Sequence, residues 1–313
     1  MADILIPEFM DEGAAAELMA EYDVHWDAAL WSKRDELIAR VADARAIIVR
    51  NATQVDAELL AAAPALKVVA RMGVGLDNID LETCKARGIE VCPAIGANAA
   101  SVAEYVIAAA LILLRGRALR STQRLVDGEW PRESLARGVE LAGRTLGIIG
   151  FGSIGQVMAA KGAAMGMQII AYDAMLPADA PAWNAARYTS LEDLIAEADV
   201  ISLHCPLTPE TRGLIGTAEL ARMKPGAILV NSARGGIVDE AACASALRSG
   251  HLGGAALDTF DTEPIKPETG ALFEGLGNVI LTPHVAGVTQ EANKRISDVA
   301  VVNVRRILGA PRP

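Results

Sequence analysis

The sequence predicts an α/β protein made of two doubly wound parallel sheets. Three observations predict it. Short runs rich in Ile and Val alternate with longer helix-like segments along the whole chain. Most of the runs are apolar throughout, as strands buried on both faces must be. Two long helical stretches, Ser101–Leu114 and Thr289–Leu308, interrupt the rhythm and divide the chain.

In the first half the strands are Ile4–Ile6, Ala46–Val49, Val68–Ala70 and Glu90–Cys92. Helices Ala14–Tyr22, Arg34–Ala42, Asp56–Ala62 and Leu81–Arg87 alternate with them. In the second half the strands are Leu146–Ile149, Gln168–Tyr172, Val200–Leu203, Ala227–Val230, Ala255–Leu257 and Val279–Leu281. Right-handed βαβ units follow from this alternation. The segment Ser101–Leu114 is apolar almost all round, with Ser101 and Glu104 spaced as a capping box. Such a helix needs cover on most sides, which points to an obligate interface or to burial within one subunit. Thr289 caps the last helix and Gly309 stops it. The expected organisation is a discontinuous domain, 1–97 plus 288–313, and an inserted domain, 98–287, with a cleft between them that closes over a ligand.

Composition narrows the function. The chain has 313 residues, 52% apolar and 22% charged, with a net charge of −10. That balance argues against nucleic acid, which needs a surplus of Lys and Arg. A small anionic ligand needs only a few local cations. Cys84, Cys92, Cys205 and Cys243 form no C-x-x-C pair, so no zinc site or redox dithiol is expected, and free thiols suit a reducing cytoplasm. The N-terminus lacks a signal-peptide pattern. The longest apolar stretch, Val106–Leu114, is far short of the roughly 20 residues of a membrane span.

The clearest motif is Gly150-Phe151-Gly152-Ser153-Ile154-Gly155, directly after a buried strand and opening a helix. The first glycine permits a tight turn, the second close approach to a pyrophosphate, and the third close helix–strand packing. The helix N-terminus offers free N–H groups and a positive dipole end. The next strand ends in Asp173, placed to accept hydrogen bonds from the adenosine ribose and to repel the extra phosphate of NADP. The plain alternative for Asp173 is a solvated strand-end acid. The motif in this setting predicts a Rossmann domain that binds NAD.

Several segments resemble one family over nearly the whole chain. They are His204-Cys205-Pro206-Leu207-Thr208, Val230-Asn231-Ser232-Ala233-Arg234-Gly235-Gly236, Asp258-Thr259-Phe260-Asp261-Thr262-Glu263-Pro264 and Thr282-Pro283-His284-Val285-Ala286-Gly287. With the glycine loop they resemble the D-2-hydroxyacid dehydrogenases. Val49-Arg50-Asn51-Ala52-Thr53 and Gly73-Val74-Gly75-Leu76-Asp77-Asn78-Ile79-Asp80 are similar to the phosphoglycerate dehydrogenase branch. The resemblance implies two Rossmann- or flavodoxin-like domains, a homodimer, and hydride transfer between nicotinamide and C2 of a small D-2-hydroxy acid.

It also implies roles. His284 exchanges the proton at the C2 oxygen, which suits a group that titrates near working pH. Glu263 favours its imidazolium form and fixes the ring. Arg234 grips the substrate carboxylate with a forked cation. Outside the family pattern each could be a plain loop residue. Further cofactor contacts fall on Cys205, Pro206, Thr211, Ser232, Ala233, Asp258, Ala286 and Gly287. For the ring of His204, and for His25 and His251, structural or exposed roles are expected.

The substrate is narrowed but not decided. The resemblance puts Arg50 and Arg71 on a distal anionic group, with Gly73, Val74 and Gly75 offering backbone N–H groups and with Asn98 and Arg132 contributing. Asn51 stands where the branch usually has serine. The alternative for both arginines is salt bridging at strand ends. The functional reading expects a phosphate or sulfonate, as in phosphoglycerate or sulfolactate; glyoxylate, hydroxypyruvate and lactate analogues stay open. The chain ends soon after its last helix, so control by serine through a regulatory domain is not expected. A non-catalytic NAD-sensing corepressor of the same fold would carry interaction tails, and a formate dehydrogenase would carry a longer N-terminal region; neither pattern is present.

Overall fold

The computed structural model describes residues 2–116 and 118–309. Two compact units emerge: one runs to Asn98 and resumes at Val288, and the other is Ala99–Gly287. Met1 and residues 310–313, assigned to the first domain from sequence, lie outside the described residues.

The first unit has five strands: β1 (Ile4–Ile6), β2 (Val24–Trp26), β3 (Ala46–Val49), β4 (Val68–Arg71) and β5 (Glu90–Pro93). They form one parallel sheet in the order β2-β1-β3-β4-β5. Side chains alternate between two cores, as strand geometry requires. Ile4, Ile6, Ala46 and Ile48 face one core, closed by helices Glu12–Met19 and Gln290–Leu308. Leu5, Ile47 and Val49 face the other, closed by Arg34–Val41, Ala57–Ala62 and Leu81–Ala86. Ile4, Leu5 and Ile6 are fully buried, and each such side chain contributes about 1.5–3 kcal/mol. The carboxylates of Asp11, Asp56 and Asp80 and the hydroxyl of Thr289 cap their helices.

The second unit has seven strands: β6 (Thr145–Ile149), β7 (Gln168–Tyr172), β8 (Arg187–Tyr188), β9 (Val200–Leu203), β10 (Ile228–Asn231), β11 (Gly254–Leu257) and β12 (Val279–Leu281). The parallel order is β12-β11-β10-β9-β6-β7-β8. The chain winds outward from β6 to β8, crosses back to β9, and winds outward the other way to β12. Loops leaving β6 and β9 therefore diverge at the carboxyl ends of these strands. That switch point is where open α/β sheets bind ligands.

One sequence expectation needs correction here. The long apolar helix begins at Ala99, so Ser101 is buried inside its first turn and forms no capping box. Glu104 instead accepts from Nζ of Lys161 at 2.8 Å. The helix is also covered by its own unit. Val106, Ala110 and Leu113 share a core with Leu146, Ile148 and Met158, and Tyr105, Ile107 and Leu111 pack against it. Its apolar surface alone does not require a second subunit.

Candidate active site

The glycine loop sits at the switch point of the second sheet. Gly150 has φ +92, and a Cβ there would lie 2.6 Å from the backbone N of Cys205. Gly155 has no room for a Cβ beside the carbonyl of Gly150. Gly152 faces open space and caps the helix Ser153–Ala164 without a side chain, so its N-terminal N–H groups stay accessible. The two crowded glycines let β6, its helix and the β9 loop converge, and the open one leaves a cradle that a Cβ would begin to fill. These residues fit a pyrophosphate.

Asp173 follows β7 and binds that loop. Its Oδ2 accepts from the N–H of Phe151 at 2.7 Å, and its Oδ1 from those of Met175 at 2.8 Å and Leu176 at 3.0 Å. A carboxylate has more lone pairs than these three bonds use, so capacity for further donors remains. Phe151 is fully buried and stacks on Trp183, with centroids 5.1 Å apart.

Arg234, Glu263 and His284 all belong to this unit, on loops after β10, β11 and β12. Asn231 shapes the first loop: its Oδ1 accepts from Ala233 N at 3.1 Å and its Nδ2 donates to Arg234 O at 2.9 Å. Gly235 then presses against the backbone of Phe260 and Asp261, where no side chain would fit. This contact docks the arginine loop on the glutamate loop. Oε1 of Glu263 accepts from Phe260 N at 3.0 Å, and Oε2 lies 2.8 Å from Nδ1 of His284. A carboxylate with no proton can only accept, so Nδ1 carries the hydrogen. In the neutral ring Nε2 is then the basic nitrogen. Burial alone would raise the Glu263 carboxyl. The hydrogen bonds from His284 and Phe260 and the charges of His284 and Arg234 outweigh it and hold the group below the usual range. The arrangement can hold an anion and exchange a proton beside it.

Other predicted positions divide. Ser232 Oγ is buried without a partner, as a hydroxyl awaiting a ligand would be. Thr259 Oγ1 is in the same condition and was missed from sequence. Thr211 staples its own loop, accepting from Thr208 N and donating to Pro206 O, each at 2.7 Å. Burial pushes the Cys205 thiol up to about 11, which leaves it protonated. Burial pushes His204 down to about 4; its Nε2 meets Ser202 Oγ at 2.8 Å and its Nδ1 has no partner. Asp258 is buried, and its carboxylate accepts from Thr282, Val285 and Ala286. Its first task is thus to hold the histidine turn. Arg132 opens the short helix Arg132–Leu135, is exposed, and makes no hydrogen bond or ion pair with a described residue.

In the first unit, Arg50, Arg71, Gly73-Val74-Gly75 and Asn98 follow or end β3, β4 and β5 at the same end of the sheet. Glu8, almost fully buried, accepts from the N–H groups of Arg50 at 2.8 Å, Ala52 at 3.1 Å and Thr53 at 3.0 Å. The Arg50 side chain donates to Asn293 Oδ1 at 3.2 Å and lies over the Phe9 ring. Arg71 is buried and donates to Met72 O at 2.6 Å. Its guanidinium occupies the space a Cβ on Gly73 would need. Asn98 Oδ1 is buried without a partner.

Among the described residues no cluster of His, Cys, Asp and Glu could hold a metal ion, and no helix is long and apolar enough to cross a membrane.

Residues 107–286 match the family model of the D-isomer specific 2-hydroxyacid dehydrogenase NAD binding domain. The chain is 50% identical over 310 residues to an (S)-sulfolactate dehydrogenase of Chromohalobacter salexigens, covering 99% of both. It is 44% identical over 306 residues to a D-3-phosphoglycerate dehydrogenase of Mycobacterium leprae, covering 97% of this chain but only 56% of that relative. Among solved structures it is similar to a D-lactate dehydrogenase of Aquifex aeolicus complexed with NAD and lactic acid. The TM-score is 0.82 at 31% identity, over 97% of this chain and 95% of that one.

Proposed function

This chain belongs to the D-isomer-specific 2-hydroxyacid dehydrogenase family and is an NAD-dependent oxidoreductase of 2-hydroxy acids; we propose that its substrate carries a second strong anion, foremost the sulfonate of 3-sulfolactate. The observation that carries this reading is the pair Arg50 and Arg71, held at one end of the first sheet by hydrogen bonds that are part-buried at Arg50 and buried at Arg71. Forked guanidinium groups match the oxygens of a sulfonate or phosphate. Identity to a relative named for (S)-sulfolactate supports the sulfonate. Sulfur outranks oxygen in naming, so the (S) label there and the D label of the family denote the same arrangement at C2.

In the oxidative direction Arg234 holds the C1 carboxylate. Nε2 of His284 takes the proton of the C2 hydroxyl as hydride leaves C2. NAD, when bound, would supply the acceptor for that hydride. Glu263 keeps Nδ1 protonated and stabilises the imidazolium that forms. In reduction His284 returns the proton, and Arg234 polarises the C2 carbonyl. Gly150–Gly155, Asp173 and Ser232 hold the cofactor. The four free cysteines support a reducing, cytoplasmic setting. Leu119, Val126 and Trp130, all strongly exposed on the second unit, support a homodimer.

The test is NAD reduction with a panel of D-2-hydroxy acids. Sulfolactate or phosphoglycerate should exceed lactate and glycerate in kcat/KM by at least about a hundredfold, as one desolvated ion-paired group can supply. Equal efficiency with lactate contradicts the distal-anion reading.

A further inference from the structure

We infer that Tyr105 is a positioning residue, acting through Thr282 and Asp258 to hold His284 in its left-handed turn; this rests on the acid–base reading of His284 given above. His284 has φ +55, and among the described residues it is the only non-glycine at positive φ. A histidine is strained there and stays only if its surroundings hold it.

Asp258 is 1% exposed and supplies that hold. Its carbonyl accepts from His284 N at 2.8 Å. Its Oδ1 accepts from Val285 N at 2.8 Å and its Oδ2 from Ala286 N at 2.8 Å. One residue thus takes the N–H groups of three consecutive residues of the turn. Oδ1 also accepts from the Thr282 hydroxyl at 2.6 Å. A threonine hydroxyl has one hydrogen, and here Asp258 receives it. The Tyr105 hydroxyl, 2.7 Å from Thr282 Oγ1, must then be the donor in that contact. The order is fixed: Tyr105 donates to Thr282, Thr282 donates to Asp258, and Asp258 anchors the turn.

This accounts for a part-buried hydroxyl on a largely apolar helix. Phenylalanine would fill the same space but could not donate. It also gives the buried acid a second duty beyond any contact with cofactor. The backbone at 284 sets the ring direction, hence the alignment of Nδ1 with Glu263 and the aim of Nε2.

The experiment compares Tyr105→Phe, Thr282→Val, Thr282→Ser and the pair Tyr105→Phe/Thr282→Val in kcat and in KM for NAD. Tyr105→Phe and Thr282→Val should each lower kcat by about tenfold, as small misplacements of a reacting group do, with KM for NAD within about twofold. Thr282→Ser keeps the hydroxyl and should restore kcat. The pair should be no worse than Thr282→Val alone, since both cut one chain. A Tyr105→Phe kcat within twofold of wild type, a Thr282→Ser as slow as Thr282→Val, or additive losses would overturn the tether. His284→Ala separates the two ideas. If it turns over normally, the acid–base reading and the tether both fall. If it is inactive while Tyr105→Phe is unaffected, only the tether falls.

Discussion

Nδ1 of His284 donates to Oε2 of Glu263 at 2.8 Å, and the other oxygen of Glu263 is tied to the backbone of Phe260. The carboxylate is thus fixed at both ends, and it fixes the ring. Glu263→Gln should keep the loop but present an amide that can turn either its oxygen or its NH2 to Nδ1. The expected loss in kcat is about 10- to 100-fold, part of what positioned acid–base catalysis supplies. The folded carboxyl of Glu263 lies below its unfolded value, so its stabilising contribution is complete above the unfolded value, about 4.3. It fades as pH falls through the lower folded value. The Tm gap between wild type and Glu263→Gln should therefore be largest near neutral pH and shrink in acid. A gap that widens below pH 4 would contradict this.

Asp173 links the glycine loop to the end of β7 through Phe151 N. Asp173→Ala removes both that link and the negative charge proposed to exclude a 2′-phosphate. NAD affinity should fall, and the preference for NAD over NADP in kcat/KM should shrink by at least about tenfold. An unchanged preference would mean that something else reads the ribose.

Glu8 organises the loop that carries Arg50 by taking three of its N–H groups. Glu8→Ala leaves those donors without a partner, and the buried one, Thr53 N, alone costs about 1–3 kcal/mol. The loop should lose its fixed shape. KM for sulfolactate or phosphoglycerate should rise about as much as in Arg50→Ala, while KM for lactate stays within about twofold. Equal changes for all substrates would show a general loss of structure rather than a lost anion contact.

His204 is neutral in the folded protein, because burial lowers it to about 4. In the unfolded chain it takes a proton near pH 6.5. As pH falls from 6.5 towards 4, the unfolded state gains that proton first, and folding loses at most about 3 kcal/mol. His204→Asn should flatten this part of the pH dependence in urea unfolding while leaving kcat within a few-fold. If kcat collapses, the ring takes part in the chemistry.

Much of the fold was legible because buried parallel strands leave continuous apolar runs, such as Ile4–Ile6 and Val200–Leu203. Two of the four edge strands were not. Val24–Trp26 is three half-buried residues, and Arg187–Tyr188 is two exposed ones, so neither leaves a pattern. Ser101 and Glu104 had the spacing of a cap, but the helix starts two residues earlier, at Ala99, and propensity yielded to packing. At the site, the glycine loop was readable from its strand–turn–helix setting. Arg234, Glu263 and His284 came from family resemblance, since each sits on a separate loop. Glu8 left no signal, because its bonds cross 42 to 45 positions of sequence. The one clue to Tyr105 was a hydroxyl on a largely apolar helix.

The most direct test of the account is the turnover of His284→Ala with NAD and the best hydroxy acid of the panel, alongside its NADH affinity. A kcat at least about a hundredfold below wild type is expected, with NADH binding within a few-fold, because the proton acceptor is gone and the glycine loop is untouched. Turnover near that of wild type would contradict it.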